Sequence, residues 1–329
     1  MKLPISFSIG VYCSLLVNAS EWSKLADLPT STPSNLTGRG VGWMTGGVVG
    51  DNLYLIGGQE GSRRGDVFDT KATRIFSTTA NTWTAGKDAP ELRERAASVV
   101  VNDTLYLIGG AQAGEELISY SNTWSYTPIS DAWKELSPLP NTYYDAAACS
   151  VNETIYLFGG FPTNSDIPLP YNTTLIYSIK SNTWSEGKPL PQPVGGAACV
   201  TVGTDVYLFG GRYLTTGQYL YYNEIQIYDT VENTWSKGKP IPDSIKVFSA
   251  TLIQDKVFII TSESTQPEVY DLTHNQWNNT YPKFPGSPRV SPSVLSHQNQ
   301  VYIIGGQVDL YTDTEYIYLY SNETLSLEV

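Results

Sequence analysis

The chain has 329 residues, 41% hydrophobic and 16% charged, which is enough apolar material for a packed core and excludes disorder as the main state. Lys and Arg total 20 against 32 Asp and Glu, a formal net charge of -12, so phosphate backbones and anionic lipid surfaces would repel it. With 2 His and 3 Cys, a multi-ligand metal centre is nearly excluded; no metal, no cofactor and no nucleic-acid partner are expected.

In chain order, residues 1–19 read as a secretory signal. Lys2 supplies the basic start, residues 5–17 a short apolar stretch, and Val17-Asn18-Ala19 the small residues of a cleavage site. No later apolar run reaches the roughly 20 residues a spanning helix needs. The expectation is one domain over residues 20–329, secreted or in the secretory-pathway lumen, with no membrane span. Asn-x-Ser/Thr triplets at Asn35, Asn102, Asn152, Asn172, Asn278 and Asn322 are N-glycosylation candidates. Cys13 leaves with the signal. Cys149 and Cys199 remain, at the same place in successive repeats. A secreted pair invites a bridge. Equivalent positions on neighbouring units need not come within bridging distance, so buried free thiols are the favoured reading.

Self-similarity at about 50 residues organises everything after the signal. A strand ending in two small residues recurs, as Leu53-Tyr-Leu-Ile-Gly-Gly58, Leu105-Tyr-Leu-Ile-Gly-Gly110, Ile155-Tyr-Leu-Phe-Gly-Gly160, Val206-Tyr-Leu-Phe-Gly-Gly211, Val257-Phe-Ile-Ile-Thr-Ser262 and Val301-Tyr-Ile-Ile-Gly-Gly306. A tryptophan recurs in step, at Trp22, Trp83, Trp133, Trp184, Trp235 and Trp277. The steps Trp83 to Gly109, Trp133 to Gly159, Trp184 to Gly210 and Trp235 to Thr261 are each 26 residues. Each unit reads as four strands: one after a Pro motif, one ending in Gly-Gly, one of alternating apolar residues, and one holding the Trp. No long amphipathic helix is expected.

Six such units predict a radial closed array, because neighbours on both sides are needed to cover both faces of each sheet. The chain from residue 21 to about 322 resembles the kelch family, whose repeats carry the hydrophobic-Gly-Gly strand and a downstream Tyr and Trp. The resemblance implies an all-β fold, a six-bladed β-propeller of four-stranded antiparallel blades. Two departures stand out. The fifth unit has Thr261-Ser262 in place of Gly-Gly and a short run to Trp277, and the sixth ends without a Trp. Trp22 is therefore expected to supply the sixth unit's outer strand. The tail, residues 325–329, is the rival for that place, and deleting residues 21–29 is expected to cost more stability than deleting the tail.

Loops joining second to third strands, and fourth strands to the next unit, emerge on one face. It carries Arg39, Arg63, Arg64, Arg93, Arg95, Tyr143, Tyr144, Phe161, Arg212, Tyr213, Tyr219, Tyr221, Tyr222 and Arg289. Arg offers a planar fork for carboxylates and Tyr a stacking surface with a hydroxyl. The binding candidates are Arg39, Arg95, Tyr143, Tyr144, Arg212, Tyr213, Tyr221 and Arg289. Asn102, Asn152 and Asn322 are assigned to the opposite face, Asn35 and Asn172 nearer the binding face. The expected role is non-catalytic recognition of an extracellular protein or glycan, anionic in character. The alternative is a carbohydrate-active enzyme. Kelch-type sugar mutarotases imply an acid/base set at the channel mouth, here Arg39, Arg95 and Arg289 with Glu94 or Asp145. Kelch-type copper oxidases imply two His, two Tyr and a crosslinked Cys, a set that His274 and His297 do not suit.

Overall fold

The computed structural model describes residues 21–30, 40–61, 67–114, 117–163, 169–214, 218–242, 247–311 and 316–329. Arg39, Arg63, Arg64 and Asn35 lie outside the described residues. Among the described residues the chain forms six four-stranded antiparallel sheets and one short 3-10 turn at Pro128–Ser130. The first sheet is Thr45–Val49, Asn52–Ile56, Thr73–Ser77 and Thr82–Gly86, and the next four repeat this order along the chain. Their inner strands are Ala97–Val101, Ala147–Val151, Ala198–Val202 and Val247–Ile253. The sixth sheet has Ser293–His297 inside, then Gln300–Ile304, then Thr324–Glu328, and Ser23–Lys24 outermost. The inner strands touch in a closed cycle, the sixth against the first.

The near-continuous apolar second strands follow from this closure. Alternate residues of a strand point to opposite faces. Leu53 and Leu55 pack with Tyr302 and Ile304 of the sixth sheet, whereas Tyr54 and Ile56 pack with Leu105 and Leu107 of the second. The same division recurs at every seam, so the core is six apolar seams rather than one centre. A sheet buried on both faces has no polar alternation on its central strands, which is why the Leu-Tyr-Leu-Ile runs read as they do.

Each of the six repeat tryptophans latches its sheet to the preceding one. The indole N–H of Trp83 donates to Ala26 O at 3.0 Å, Trp133 to Lys87 O at 2.9 Å and Trp184 to Ser137 O at 3.0 Å. Trp235 reaches Lys188 O at 2.9 Å, Trp277 Pro240 O at 2.8 Å and Trp22 Pro282 O at 2.8 Å. The ring before each indole lies tilted against it at the same distance: Tyr126–Trp133, Tyr177–Trp184 and Tyr228–Trp235 centroids are all 4.9 Å apart. Asn81, Asn182, Asn233 and Asn275 hold left-handed turns just before their Trp, which Asn tolerates better than most residues. Asn182 Oδ1 accepts from Ser137 N at 2.9 Å, adding a second tie between units.

Closure thus uses the chain's start as the outer strand, as expected. The tail is not its rival but the third strand of the same sheet, pairing Gln300–Ile304 and Ser23–Lys24 on its two sides. Leu325 and Leu327 are fully buried, so the deletion ranking reverses: losing the tail removes a central strand, losing the start an outer one. The thiol reading is also corrected. Cys149 and Cys199 form a disulfide, with Cα atoms 6.3 Å apart across neighbouring inner strands. Adjacent inner strands converge at the axis, which brings equivalent positions within reach. A cross-link spanning 50 residues constrains the unfolded chain by about 4 kcal/mol.

The Gly-Gly pair is explained by the same crowding. Gly57 has φ +64, and a Cβ there would sit 2.1 Å from Arg93 O of the next unit. Gly58 N donates to that carbonyl at 2.8 Å. Gly50 also has positive φ (+56) but open space around it. Gly57→Ala should therefore cost about 3 kcal/mol or more and Gly50→Ala about 1 kcal/mol, in urea unfolding. Equal costs at the two positions would contradict the seam contact.

Candidate functional site

In five of the six units, the residue two positions before the inner strand turns the chain inward through the left-handed region. Trp43, Arg95, Asp145, Gly196 and Ser291 have φ of 59°, 54°, 52°, 65° and 46°. Their backbones are bonded in sequence around the axis. Trp43 N donates to Ser291 O (3.2 Å), Arg95 N to Trp43 O (3.3 Å), Asp145 N to Arg95 O (3.0 Å) and Gly196 N to Asp145 O (2.7 Å). Non-glycine residues in this conformation cost energy that the surrounding bonds must offset. The result is a rigid hoop that aims these side chains at the channel mouth. Below it lies a cavity of about 260 Å³, walled chiefly by small residues such as Ala97, Ala147, Ala198 and Ser293.

Around the rim the side chains form a relay. The Trp43 indole donates to Gln307 Oε1 at 3.4 Å. The Arg95 guanidinium lies 4.1 Å over the Trp43 ring and 3.8 Å from Asp145 Oδ2. Asp145 pairs in turn with Arg212, whose guanidinium lies 4.9 Å from the Tyr219 ring centre. Arg95 is the most open of the charged members, with a quarter of its side chain exposed (25%). Its pKa is raised: burial opposes the charge, but Asp145 and Glu94 more than offset that.

Glu94 stands behind the rim, 1% exposed, with Oε1 3.3 Å from Arg95 Nε and Oε2 without a hydrogen-bond partner. Burial pushes its carboxyl up to about 7; Arg95 lowers it, and Asp69 and Asp145 raise it further. Asp69 is itself raised by burial, despite the Ala113 N–H and the Gln59 amide on its carboxylate.

Of the expected binding residues, Arg95 and Arg212 reach the mouth, and Tyr144 lies beside them, buried and stacked on Phe161 at 5.5 Å. Burial first, then Asp145 and Tyr219, push the Tyr144 hydroxyl up to about 12. Tyr213 and Tyr221 sit half-buried on the hairpin Arg212–Leu214 and Tyr219–Tyr221. Arg289 and Tyr143 are corrections. Arg289 is 1% exposed, donates to Gly305 O at 3.1 Å and pairs with Glu323 at 2.5 Å. Arg93 likewise pairs with Glu91 and donates to Gly109 O, and Arg74 donates to Gly57 O at 3.3 Å. These three are structural clamps on the Gly-Gly corners, and burial lowers the pKa of each. Tyr143 is 1% exposed and packs on Tyr171 at 4.6 Å. Repeat register carries the missed signal. Val41, Arg93, Tyr143, Val194 and Arg289 each lie two residues before a hoop residue, and all are buried. Trp43 and Asp145, which the binding candidates omit, occupy the hoop position itself.

The sequons divide differently from the expectation. Asn102 and Asn152 are exposed in turns on the far face, and Asn172 is exposed ahead of the third strand of its sheet. Asn322 also precedes a third strand, so it belongs to the mouth face; its carbonyl accepts from Leu28 N at 2.6 Å. Asn278 ends the outer strand Gln276–Asn278.

Glu94 gives the site a pH dependence with a definite sign. A carboxyl whose pKa rises from 4.5 to about 7 on folding binds its proton more tightly when folded. Its contribution is therefore lost as pH rises through that window and stays lost above it. Relative to Glu94→Gln, the wild type should lose about 3 kcal/mol of unfolding free energy between acid and alkaline ends of the window. A pH-independent difference between the two proteins would contradict the buried, proton-retaining carboxyl.

The KLHDC2/KLHL20/DRC7 Kelch-repeats domain model matches residues 43–262 and, in a second placement, 147–326. Kelch-like protein 25 of Xenopus tropicalis is 25% identical over 230 residues, covering 67% of this chain and 38% of that protein. Beta-scruin of Limulus polyphemus is 26% identical over 271 residues, covering 77% of this chain and 24% of that protein. The chain thus spans less than half the length of these curated relatives. A solved structure, "Structure of YjhT", superposes with a TM-score of 0.71 at 17% identity, covering 92% of this chain and 96% of that one; this likeness concerns the fold alone. With six sheets, the paired glycines and the indole latches in place, and a family model matching most of its length, the chain belongs to the kelch-repeat β-propeller family.

Proposed function

We propose that the protein is a non-catalytic binding module that recognises a protein partner through the mouth face. One observation carries this reading. Of the eight large hydrophobic side chains exposed among the described residues, Val67, Leu92, Ile118, Leu169, Tyr219 and Leu220 lie on the mouth face. Ile129 and Val231 alone lie on far-face turns. An apolar rim around a charged, aromatic centre is the composition of a protein-binding surface. Arg95 and Arg212 add a preference for a partner with acidic groups.

The Cys149–Cys199 bridge supports an oxidising, extracellular setting, as do the sequons exposed at Asn102, Asn152 and Asn172. No helix among the described residues is long and apolar enough to cross a membrane. A sugar-converting site would need a free acid/base pair at the mouth. Asp145 is instead held between two arginines, and Glu94 is shut behind the rim.

Peptides selected from a random-peptide phage library on the wild type should lose about tenfold or more in affinity on Arg95→Ala combined with Ile118→Ser. Ile129→Ser with Val231→Ser should leave their binding unchanged. Loss on the far-face pair alone would overturn the reading. So would catalysed anomerisation of a free sugar, followed by NMR and abolished by Asp145→Asn.

A further inference from the structure

Three carboxyls meet around Arg95, and the chain serves them unequally. Asp145 is held by Arg212 and lies 3.8 Å from Arg95 Nη1. Asp69 accepts from the Ala113 N–H and, at 3.5 Å, from the Gln59 amide. Glu94 faces Arg95, with Oε1 3.3 Å from Nε. Among the described residues neither its Oε2 nor that Nε has a hydrogen-bond partner. The Glu94 backbone is pinned, because Glu94 and Ala111 exchange two bonds of 2.8 Å. The carboxyl is thus held behind the guanidinium, 1% exposed, while the guanidinium keeps a quarter of its surface (25%) open at the mouth.

The other charged groups on the surrounding elements are committed elsewhere. Glu60, on the hairpin that carries Asp69, pairs with Arg74, and Arg93 pairs with Glu91. In the third unit Asp145 is shared between two arginines, and the Tyr144 hydroxyl, pushed up to about 12 chiefly by burial, keeps its proton. A buried carboxyl with one oxygen unserved, a half-shared cation and two acids nearby holds its proton into the neutral range. Burial raises Glu94 to about 7, against Arg95 and with help from Asp69 and Asp145. The chain's two histidines, which ordinarily titrate near there, lie on far-face turns, His274 with Asp271 and His297 with Asp51.

We propose that Glu94 sets the pH range in which the mouth captures an acidic partner: protonated, it leaves the Arg95 charge for a partner carboxylate, and ionised, it takes that charge itself. Capture then takes up a proton. A partner carboxylate arriving at Arg95 brings a like charge close to Glu94, which holds its proton about tenfold more tightly as a result. By linkage the proton strengthens capture by the same factor, so a peptide or protein rich in Asp and Glu binds more tightly in mild acid than in mild alkali. Burial out of water keeps the exchange strong where an exposed carboxylate would be screened. This inference rests on the mouth-face reading and adds a proton dependence to it.

The probes are library peptides, acetylated at the N-terminus, that carry Asp or Glu but no His and whose binding needs Arg95. Their own carboxyls stay ionised between about pH 6 and pH 8. The wild type should bind them about fivefold more tightly at pH 6 than at pH 8. Calorimetry in buffers of different ionisation enthalpy should find about half a proton taken up per peptide at pH 7.5. Glu94→Gln copies the protonated form and has no proton to lose, so it should keep the pH 6 affinity at both ends and take up none. Asp69→Asn should retain the wild-type dependence and uptake. Uptake is read on the wild type and on Asp69→Asn, so the test decides even where Glu94→Gln does not fold. Arg95-dependent binding that is flat with pH and takes up no proton would overturn this inference and leave the mouth-face reading standing. So would a dependence that survives Glu94→Gln or vanishes in Asp69→Asn. If no acidic peptide needs Arg95, the mouth-face reading falls and this inference with it.

Discussion

No sheet in this protein can bury its own two faces, and that constraint decides the rest. Leu53 and Tyr54 are adjacent in sequence yet belong to different seams. A strand with apolar side chains on both sides is stable only between two neighbours, and a row of such sheets ends in solvent unless it closes. Closure crowds the axis. Crowding demands glycine where one unit's backbone crosses the next, and it brings Cys149 to Cys199. At the periphery the sheets splay, and there the indoles fill the space and donate backward to a carbonyl of the previous unit.

The mouth inherits its character from the same geometry. The hoop bonds turn five equivalent residues inward, so whatever side chain the repeat carries there faces the axis. Variation at one register position, from Trp43 through Arg95 and Asp145 to Gly196 and Ser291, is then variation in the proposed binding surface rather than in the core. On the proposed reading, function sits on positions whose backbone is fixed and whose side chain is free to differ.

Much of this was legible in the residues. The Gly-Gly strands and the evenly spaced Trp gave the repeat, the all-β class and the outer strand at Trp22. The tail was harder. Thr324–Glu328 lacks the aromatic residue (Phe76, then Tyr126, Tyr177, Tyr228 and Tyr270) that marks the other third strands, and its place shows only when the sheet is assembled. Arg95 and Arg289 looked alike because both precede an inner strand. Two residues of register separate a rim cation from a buried clamp on Gly305, and sequence spacing alone does not say which way a side chain turns. The bridge was missed because convergence of inner strands is a property of the ring, not of either strand. Glu94 is ordinary in sequence and becomes unusual only once burial denies its carboxylate water.

The most direct test of the closed ring is the latch at its joint. Trp22 and Trp184 make the same indole-to-carbonyl bond, one joining the chain's start to the fifth unit, the other joining two consecutive internal units. If the ring is shut through the first strand, Trp22→Ala and Trp184→Ala should each lower unfolding free energy by about 2 kcal/mol or more, with one cooperative transition. A neutral Trp22→Ala beside a costly Trp184→Ala would show that the ring does not close there.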